Sequence, residues 1–161
     1  MQKNNLLTFI LISFLIFLFI IIPIRTQAAR NSYEKIGNFV KDIYSSYTDS
    51  NYISIYQQIH PKIKDTFNET EYIKVHKEYF KKHDINIKEC KIKNIENINE
   101  LPSKFSEYIT LSKSDVLLSV SIVYKATINE SKKEISKKVY VLKNNKNDLF
   151  LLWDPKILNK L

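Results

Sequence analysis

The sequence predicts an α+β domain in which three amino-terminal helices pack on a curved antiparallel sheet. Apolar residues recur with the helical period as far as about residue 83, and with the alternation of strands after it. Helices followed by a run of strands are typical of α+β proteins. A third observation sets the domain's limits: residues 1–28 carry no acidic side chain and form a long apolar run, whereas residues 29–161 suffice for one compact domain.

The amino-terminal segment has the three parts of a secretory signal peptide. Lys3 precedes an apolar stretch from Leu6 to Ile22, and a short polar segment follows. Thr26 and Ala28 place small side chains at the −3 and −1 positions of a cleavage site, which predicts cleavage after Ala28. An uncleaved anchor is the alternative, because Leu6 to Ile24 just reaches the length that spans a bilayer core. Both alternatives place the domain outside the cytoplasmic membrane.

The helical half contains three predicted helices. The first begins at Ser32 and carries one apolar stripe, formed by Ile36, Phe39, Val40, Ile43, Tyr44 and Tyr47. The second covers Tyr52 to Ile59, and Pro61 ends it because proline restricts the preceding residue to extended geometry. The third opens near Phe67 and runs to about His83, with an inward face formed by Tyr72, Ile73, His76, Tyr79 and Phe80.

The second half contains an antiparallel meander of strands. A strand over residues 85–92 shifts its facing near residues 89–91, which indicates a bulge. The clearest strand, residues 115–128, is apolar at every even position, so one face is predicted to lie in the core and the other to be mostly solvated. Turns at residues 129–133 and 144–147 then lead into strands over residues 134–143 and 148–153.

Composition excludes several functional classes. The chain has one Gly, one Cys and three His, so neither a glycine-rich phosphate loop nor a cysteine zinc cluster can be built. A lipoprotein anchor is not expected either, because it requires a cysteine near the cleavage site and none is there. Residues 29–161 keep 23 basic and 17 acidic groups, a formal net charge of +6, which favours anionic wall or membrane polymers as partners. Nucleic acid is not expected as a partner, because the lysines are dispersed rather than interleaved with stacking aromatics.

Two stretches of residues resemble a known family. One is the helical half, through Phe39-Val40, Tyr44, Tyr47, Asn51-Tyr52, Tyr56, Phe67-Asn68-Glu69-Thr70-Glu71-Tyr72 and Tyr79; the other is the ending Leu151-Leu152-Trp153-Asp154-Pro155-Lys156-Ile157-Leu158. Over about residues 33–161, the chain resembles the amino-terminal domain of MecA-type penicillin-binding proteins, and the Trp-Asp-Pro ending is the most specific part. The resemblance implies the cone-shaped fold of the nuclear-transport-factor-two superfamily. It also implies a non-catalytic extension of the kind that holds a transpeptidase module away from the membrane.

No catalytic, cofactor or metal residues are predicted. The chain stops at Leu161, so we expect it to be a stand-alone copy without the transpeptidase module. Ser32 and Lys35 have the spacing of an acylated serine and its lysine, but Gly37 is the only glycine and no Lys-Thr-Gly strand exists. We therefore expect an exported, non-enzymatic accessory domain that binds or spaces at the cell envelope, with an envelope protein or an anionic polymer as its partner. A truncated gene remnant without a selected function is a further interpretation.

The histidines and the cysteine have functional and structural interpretations. His76 and His83 lie seven residues apart on one helical face, with Asp84 and Glu69 near, and would suit a metal ion. A half-buried His76 and a solvent-exposed His83 at the helix end are the favoured interpretation. Cys90 would need a histidine partner to act as a nucleophile, whereas a lone cysteine in an apolar strand usually serves packing.

A second function class is open, in which the interior of the cone binds a small molecule or performs acid-base chemistry. The helical tyrosines would line such a pocket, although they are expected to fill the core. An enzyme would need a pocket above about 300 Å³ with an inward carboxylate, and Asp115 lies only at the start of a strand. Four lysines near a hairpin suit an anionic surface and a protected sheet edge equally well: Lys132, Lys133, Lys137 and Lys138.

The ending also predicts how the core is closed. Trp153, the only tryptophan, should be largely buried against the helices. Pro155 should hold Asp154 extended and prevent an immediate helix. Apolar residues of the tail, Ile157, Leu158 and Leu161, should then seal an edge of the core.

Overall fold

The computed structural model describes residue 27 and residues 30–160, with side chains up to residue 158. The chain divides into two units, residues 1–35 and residues 36–161, and the sheet and core belong to the second. The predicted signal peptide and its cleavage site lie outside the described residues, apart from Gln27. None of the described helices combines the length and the hydropathy that a membrane span requires.

The described residues form five α-helices, not the three predicted. Helix α1 spans residues 30–48, and the others are α2 (Tyr52–Gln58), α3 (Pro61–Lys64), α4 (Glu69–Lys82) and α5 (Ser103–Ser106). The two unpredicted helices, α3 and α5, are four residues long, which is too short for a periodic pattern to show in the sequence.

Asparagine side chains fix where two of the predicted helices begin. Asn51 Oδ1 accepts a hydrogen bond from the backbone N–H of Ser54 at 3.2 Å, before α2. Asn68 Oδ1 accepts one from Glu71 N–H at 2.7 Å, before α4. Each bond satisfies one of the amide donors that a helix start leaves free, so polar residues between the apolar stripes set the helix boundaries.

Four strands form one antiparallel sheet in chain order, which confirms the predicted α+β class and the meander. They are β1 (Asn86–Asn97), β2 (Val116–Ile128), β3 (Ser131–Lys143) and β4 (Leu149–Leu152).

Strand β1 is longer and more irregular than predicted. Its pairing with β2 shifts between Ile87 and Cys90, where the sequence predicts the bulge, and shifts again between Ile92 and Asn94. The strand then continues beyond the predicted end to Asn97. Two shifts in one strand re-aim its side chains and increase the local twist of the sheet.

The turn between β2 and β3 has two residues, not the five predicted. Asn129 and Glu130 both have positive φ values, 48° and 66°. Two successive residues with positive φ form the turn type whose twist matches that of the flanking strands. The strands therefore pair without a break from Val116 with Lys143 to Ile128 with Ser131.

Both faces of the sheet are buried near one end, although the sequence predicts a mostly solvated outer face. Leu117 and Ser119 point to the outer face and are nevertheless 3% and 1% exposed. The reason lies in the segment that contains α5. Phe105 is buried and packs edge-on against Tyr140, the partner of Ser119 in β3, with 5.7 Å between the ring centroids. The short helix that directly precedes β2 in the sequence thus covers residues that alternation alone would expose.

Trp153 is 8% exposed and packs against the helical side of the core, as predicted. Its ring lies 5.1 Å from that of Tyr72 and 5.3 Å from that of Phe67. The prediction for the following residues is wrong, because a 3₁₀-helix begins directly at Pro155 and runs to Lys160. Proline is well tolerated at the first helical position, where its preset φ suits the turn.

The apolar tail is described in part. Ile157 and Leu158 are half-buried and pack against the core, which agrees with the predicted sealing of an edge. Leu161 lies outside the described residues.

Strand β4 is short and therefore covers only one end of β3. It pairs with only the last four residues of β3, Tyr140–Lys143. Its other edge is met by the chain before α3, where His60 N–H donates to the carbonyl of Leu151 at 3.0 Å. Residues 131–139 of β3 have no strand beside them on that side within the described part of the chain.

Candidate functional site

A cavity of about 230 Å³ lies where β4 has ended, between α1, α4 and the core face of the sheet. We call it the tyrosine cavity, because Tyr44, Tyr47, Tyr79 and Tyr124 line it together with Trp153. Aliphatic side chains of the sheet and of the 3₁₀-helix complete its wall. Among the described residues, its lining contains two basic side chains, His76 and Lys137, and no Asp or Glu.

The tyrosines of the cavity are held by ring packing. The ring of Tyr44 lies 5.2 Å from that of Tyr124, across from α1 to β2. Tyr47 stacks on Phe80 of α4 with a centroid distance of 5.7 Å and nearly parallel planes. Burial raises the pKa of Tyr44 far above its usual value and raises the pKa of Tyr47 to about 12. Both hydroxyls are therefore neutral near pH 7 and able to donate hydrogen bonds.

The remaining helical tyrosines lie away from the cavity. Tyr52 and Tyr72 are buried in the core, which is the core-filling role the sequence favours. The hydroxyl of Tyr56 donates to the carbonyl of Phe67 at 3.4 Å. Tyr33 is exposed. The helical tyrosines thus divide between core, cavity and surface.

His76 is 3% exposed, which makes it more buried than predicted. Its Nδ1 lies 2.8 Å from the carbonyl oxygen of Tyr72. Because a carbonyl only accepts, Nδ1 carries the proton and Nε2 of the neutral ring is an acceptor. Burial lowers the pKa of His76, and the charge of Lys137 lowers it further. His76 is therefore a neutral imidazole near pH 7.

Lys137 lies on the core face of the sheet. It pairs with Ile122 in β2 and shares its face with Ile135 and Val139 in β3. Its side chain keeps contact with solvent, so the tyrosine cavity opens beside it. The surrounding walls nevertheless exclude enough water to lower the pKa of Lys137, and the charge of Lys104 adds to this effect. No carboxylate within the described part of the chain forms an ion pair with it.

Lys138, the next residue, has the opposite surroundings. It points to the outer face, where its Nζ lies 3.3 Å from Glu96 Oε1. The other two lysines of the predicted set, Lys132 and Lys133, line an open depression of about 380 Å³ at the hairpin end. The four lysines therefore do not form one surface: one faces the cavity, one is paired on the outer face, and two lie at the hairpin.

A smaller space that shares several lining residues with the tyrosine cavity has an acidic side chain in its own lining. This second space, about 70 Å³, is lined by Asp154, Lys104, Lys137 and Tyr140 among others. Asp154 Oδ1 accepts a hydrogen bond from the backbone N–H of Lys156 at 3.0 Å, which caps the 3₁₀-helix. The Asp154 carboxylate thus stabilises the start of the 3₁₀-helix and does not line the tyrosine cavity.

The structure does not bring the other sequence candidates together. His83 is half-buried, not exposed as predicted, and its ring packs at a tilt against that of Tyr79 with 4.6 Å between the centroids. No group of three or more His, Cys, Asp or Glu in the described residues is placed to hold a metal ion. Cys90 is half-buried in β1, and burial raises its pKa, so it is a protonated thiol. Asp115 precedes β2, where its Oδ2 accepts from Ser112 N–H at 2.8 Å. Ser32 lies within α1.

Sequence reasoning missed that Lys137 faces the cavity. The signal was present, because Ile135, Val139 and Val141 are apolar at odd positions and Lys137 falls between them.

The chain matches no protein-family model, and a search of the curated proteins finds no match. Chemically, the arrangement offers one ammonium group, neutral hydroxyls and a neutral imidazole around an apolar space. That set suits the binding of an anion with an apolar body.

Proposed function

We propose that this protein is an exported, non-catalytic accessory domain of the bacterial cell envelope, with the cone-shaped fold of the nuclear-transport-factor-two superfamily. The observation that carries the proposal is the position of Trp153. The Trp-Asp-Pro ending, on which the resemblance to the amino-terminal domain of MecA-type penicillin-binding proteins chiefly rests, supplies the ring that closes the core over α4. The signal-peptide pattern in residues 1–28 supports export.

Charge supports an anionic partner or an envelope protein at the surface. The domain carries a net charge of +6 without the signal segment, and Lys132 and Lys133 are exposed beside the hairpin turn, where Lys88 joins them. Exposed lysines of this kind attract phosphate-rich polymers over long range without selecting one of them. The same lysines protect a free strand edge from pairing with other chains.

Binding of a small molecule in the tyrosine cavity is the second candidate function. The cavity itself favours it, because a filled core would leave no such space. Acid-base catalysis is less well supported than binding. The volume of about 230 Å³ is below the 300 Å³ set for an enzyme pocket, and the described residues place no carboxylate in the lining of the cavity.

Export is tested on the mature amino terminus. Cells expressing the full chain are fractionated, and the protein is analysed by mass spectrometry. We expect most of the protein to begin at Ala29 and to be found in the medium or released by mild salt, because Thr26 and Ala28 suit a signal peptidase. Full-length protein that resists carbonate extraction would contradict cleavage, and retention in the cytoplasm would contradict the envelope role.

The non-catalytic role is tested with a fluorescent penicillin. The chain has only half of the acylation machinery, so we expect no covalent labelling at concentrations that label a true transpeptidase. A labelled band that disappears in the Ser32→Ala variant would overturn this expectation. Binding to anionic polymers is compared between the native protein and a Lys132→Glu/Lys133→Glu variant by co-sedimentation with cell walls, and equal binding by both would exclude the hairpin lysines as the contact.

A further inference from the structure

We propose that the tyrosine cavity binds a compact aromatic carboxylate, with the ammonium group of Lys137 holding the carboxylate and the rings of the cavity enclosing the aromatic ring. The proposal rests on the second candidate function and does not depend on the envelope role. It names the ligand class that the geometry of the cavity selects.

The position of Lys137 is the first argument. Lys137 is exposed, lies on the apolar face of the sheet and lines the tyrosine cavity, so its ammonium group stands where an entering anion would meet it. Within the described residues no carboxylate forms an ion pair with Lys137, although Lys138 beside it pairs with Glu96 at 3.3 Å. The chain therefore supplies a partner for the outward lysine and leaves the inward lysine to an anion from outside.

Size is the second argument. A cavity of about 150 Å³ accommodates benzene, and sites for drug-sized ligands begin near 300 Å³. The tyrosine cavity, at about 230 Å³, lies between these values. One ring with a carboxylate group fits this space, whereas the acyl chain of a membrane lipid does not.

The lining is the third argument. Tyr44, Tyr124 and Trp153 present ring faces and edges, which pack favourably with another aromatic ring. The Tyr47 hydroxyl is a neutral donor that suits a carboxylate oxygen, and the described residues of the lining include no acidic group that would repel it. A cation would be repelled by Lys137, so the cavity selects for negative charge.

Binding is measured with benzoate, using the fluorescence of Trp153 as the reporter. Trp153 is the only tryptophan of the chain and lines the cavity, so its emission reports occupancy directly. The full chain is held in neutral phosphatidylcholine vesicles and titrated with benzoate, with uncharged benzamide, and with acetate, which lacks the ring. We expect a saturable change with benzoate, and binding at least about tenfold weaker for benzamide and acetate.

Two neighbouring lysine variants provide the matched comparison. Lys137→Met should weaken benzoate binding about ten- to hundredfold, the usual range for loss of a charge-assisted hydrogen bond. Lys138→Met removes the same charge one residue away on the opposite face and should change the affinity less than about twofold. Lys137→Arg keeps the charge and should retain most of the binding.

Three results would overturn the proposal. One is the absence of any saturable response to benzoate in the folded native protein. Another is equal weakening by Lys137→Met and Lys138→Met, which would show a general charge effect at the surface. The third is equal affinity for benzoate and benzamide, which would show an apolar site without anion recognition. None of these results bears on export, so failure here is distinct from failure of the envelope role.

Discussion

The two ends of the sheet's core face are built from the same two strands and differ in what lies beside them. At one end Leu118, Val141 and Leu151 pair across three strands, and all are almost fully buried. At the other end Tyr124 and Ile135 also pair, but they are half-buried and border a cavity. The alternation of apolar residues is alike at both ends. The difference comes from β4, which has ended by then.

This difference shows that the length of one short strand decides where the core is filled. Beside β4, each inward position of β3 meets apolar neighbours from both sides. Beyond it, β3 has a free edge, and a lysine at an inward position can reach water. Lys137 lies at the open end, where a charged side chain at an inward position keeps its hydration.

The largest expected effect concerns Trp153, which packs on the filled part of the core and also lines the tyrosine cavity. Trp153→Ala removes a ring that contacts Tyr72, Phe67 and His76. It should lower the free energy of unfolding by about 3–5 kcal/mol, as truncation of a buried tryptophan usually does. Urea denaturation followed by far-UV circular dichroism measures the change. Ile135→Ala at the open end is the control and should cost much less, because Ile135 is smaller and only half-buried; equal losses would contradict the comparison.

A smaller effect of opposite sign is expected on the outer face of the filled end. Ser119 is 1% exposed, and its hydroxyl has no hydrogen-bond partner in the described structure. Ser119→Ala should therefore stabilise the protein by about 1 kcal/mol, because it removes a buried polar group without loss of a bond. Ser121→Ala, two residues further on the same face, is half-exposed and should have little effect. Destabilisation by Ser119→Ala would show that the hydroxyl has a bound partner.

The pH dependence of stability tests the boundary between the two ends, where His76 lies. Its pKa is lowered in the folded state from the usual 6.5, so below that value the unfolded chain binds a proton that the folded chain does not. The free energy of unfolding should therefore fall as the pH falls through 6.5. His76→Phe should reduce this slope without abolishing it, since burial also lowers the pKa of His60. An unchanged slope would show that His76 is protonated in the fold.

The smallest expected effect compares two adjacent lysines by melting temperature. Lys137→Met should raise the melting temperature slightly, because it replaces an exposed charge on an apolar face of the sheet with an apolar side chain. Lys138→Met should leave it nearly unchanged, because an exposed ion pair contributes little. If Lys137→Met stabilises the fold and weakens benzoate binding, the role of Lys137 is in binding and not in stability. A lower melting temperature in Lys137→Met would assign the lysine a structural role.

The sequence predicts those features of the fold that depend on local pattern. The bulge in β1 is visible in the sequence as a shift of the apolar positions near Cys90. The burial of Trp153 agrees with its place at the end of the last strand. Helix α5 is too short to leave a pattern, so the burial of Ser119 beneath the segment containing it could not be predicted.

The candidate site was less predictable than the fold. The alternation of Ile135 and Val139 indicates the facing of Lys137, but three neighbouring lysines of similar spacing suggest a single charged edge instead. The cavity itself depends on where β4 ends and on how α1 and α4 meet the sheet. Both are tertiary features that no local pattern in the sequence records.

The contact between Trp153 and α4 has a consequence for the order in which the protein forms during synthesis. Tyr72 and His76 emerge from the ribosome about 80 residues before the ring that covers them. Until then the apolar side of α4 has no Trp153 to pack against, and the incomplete chain cannot close its core. A chain whose core is closed by its last strand acquires its full stability only when synthesis is nearly complete.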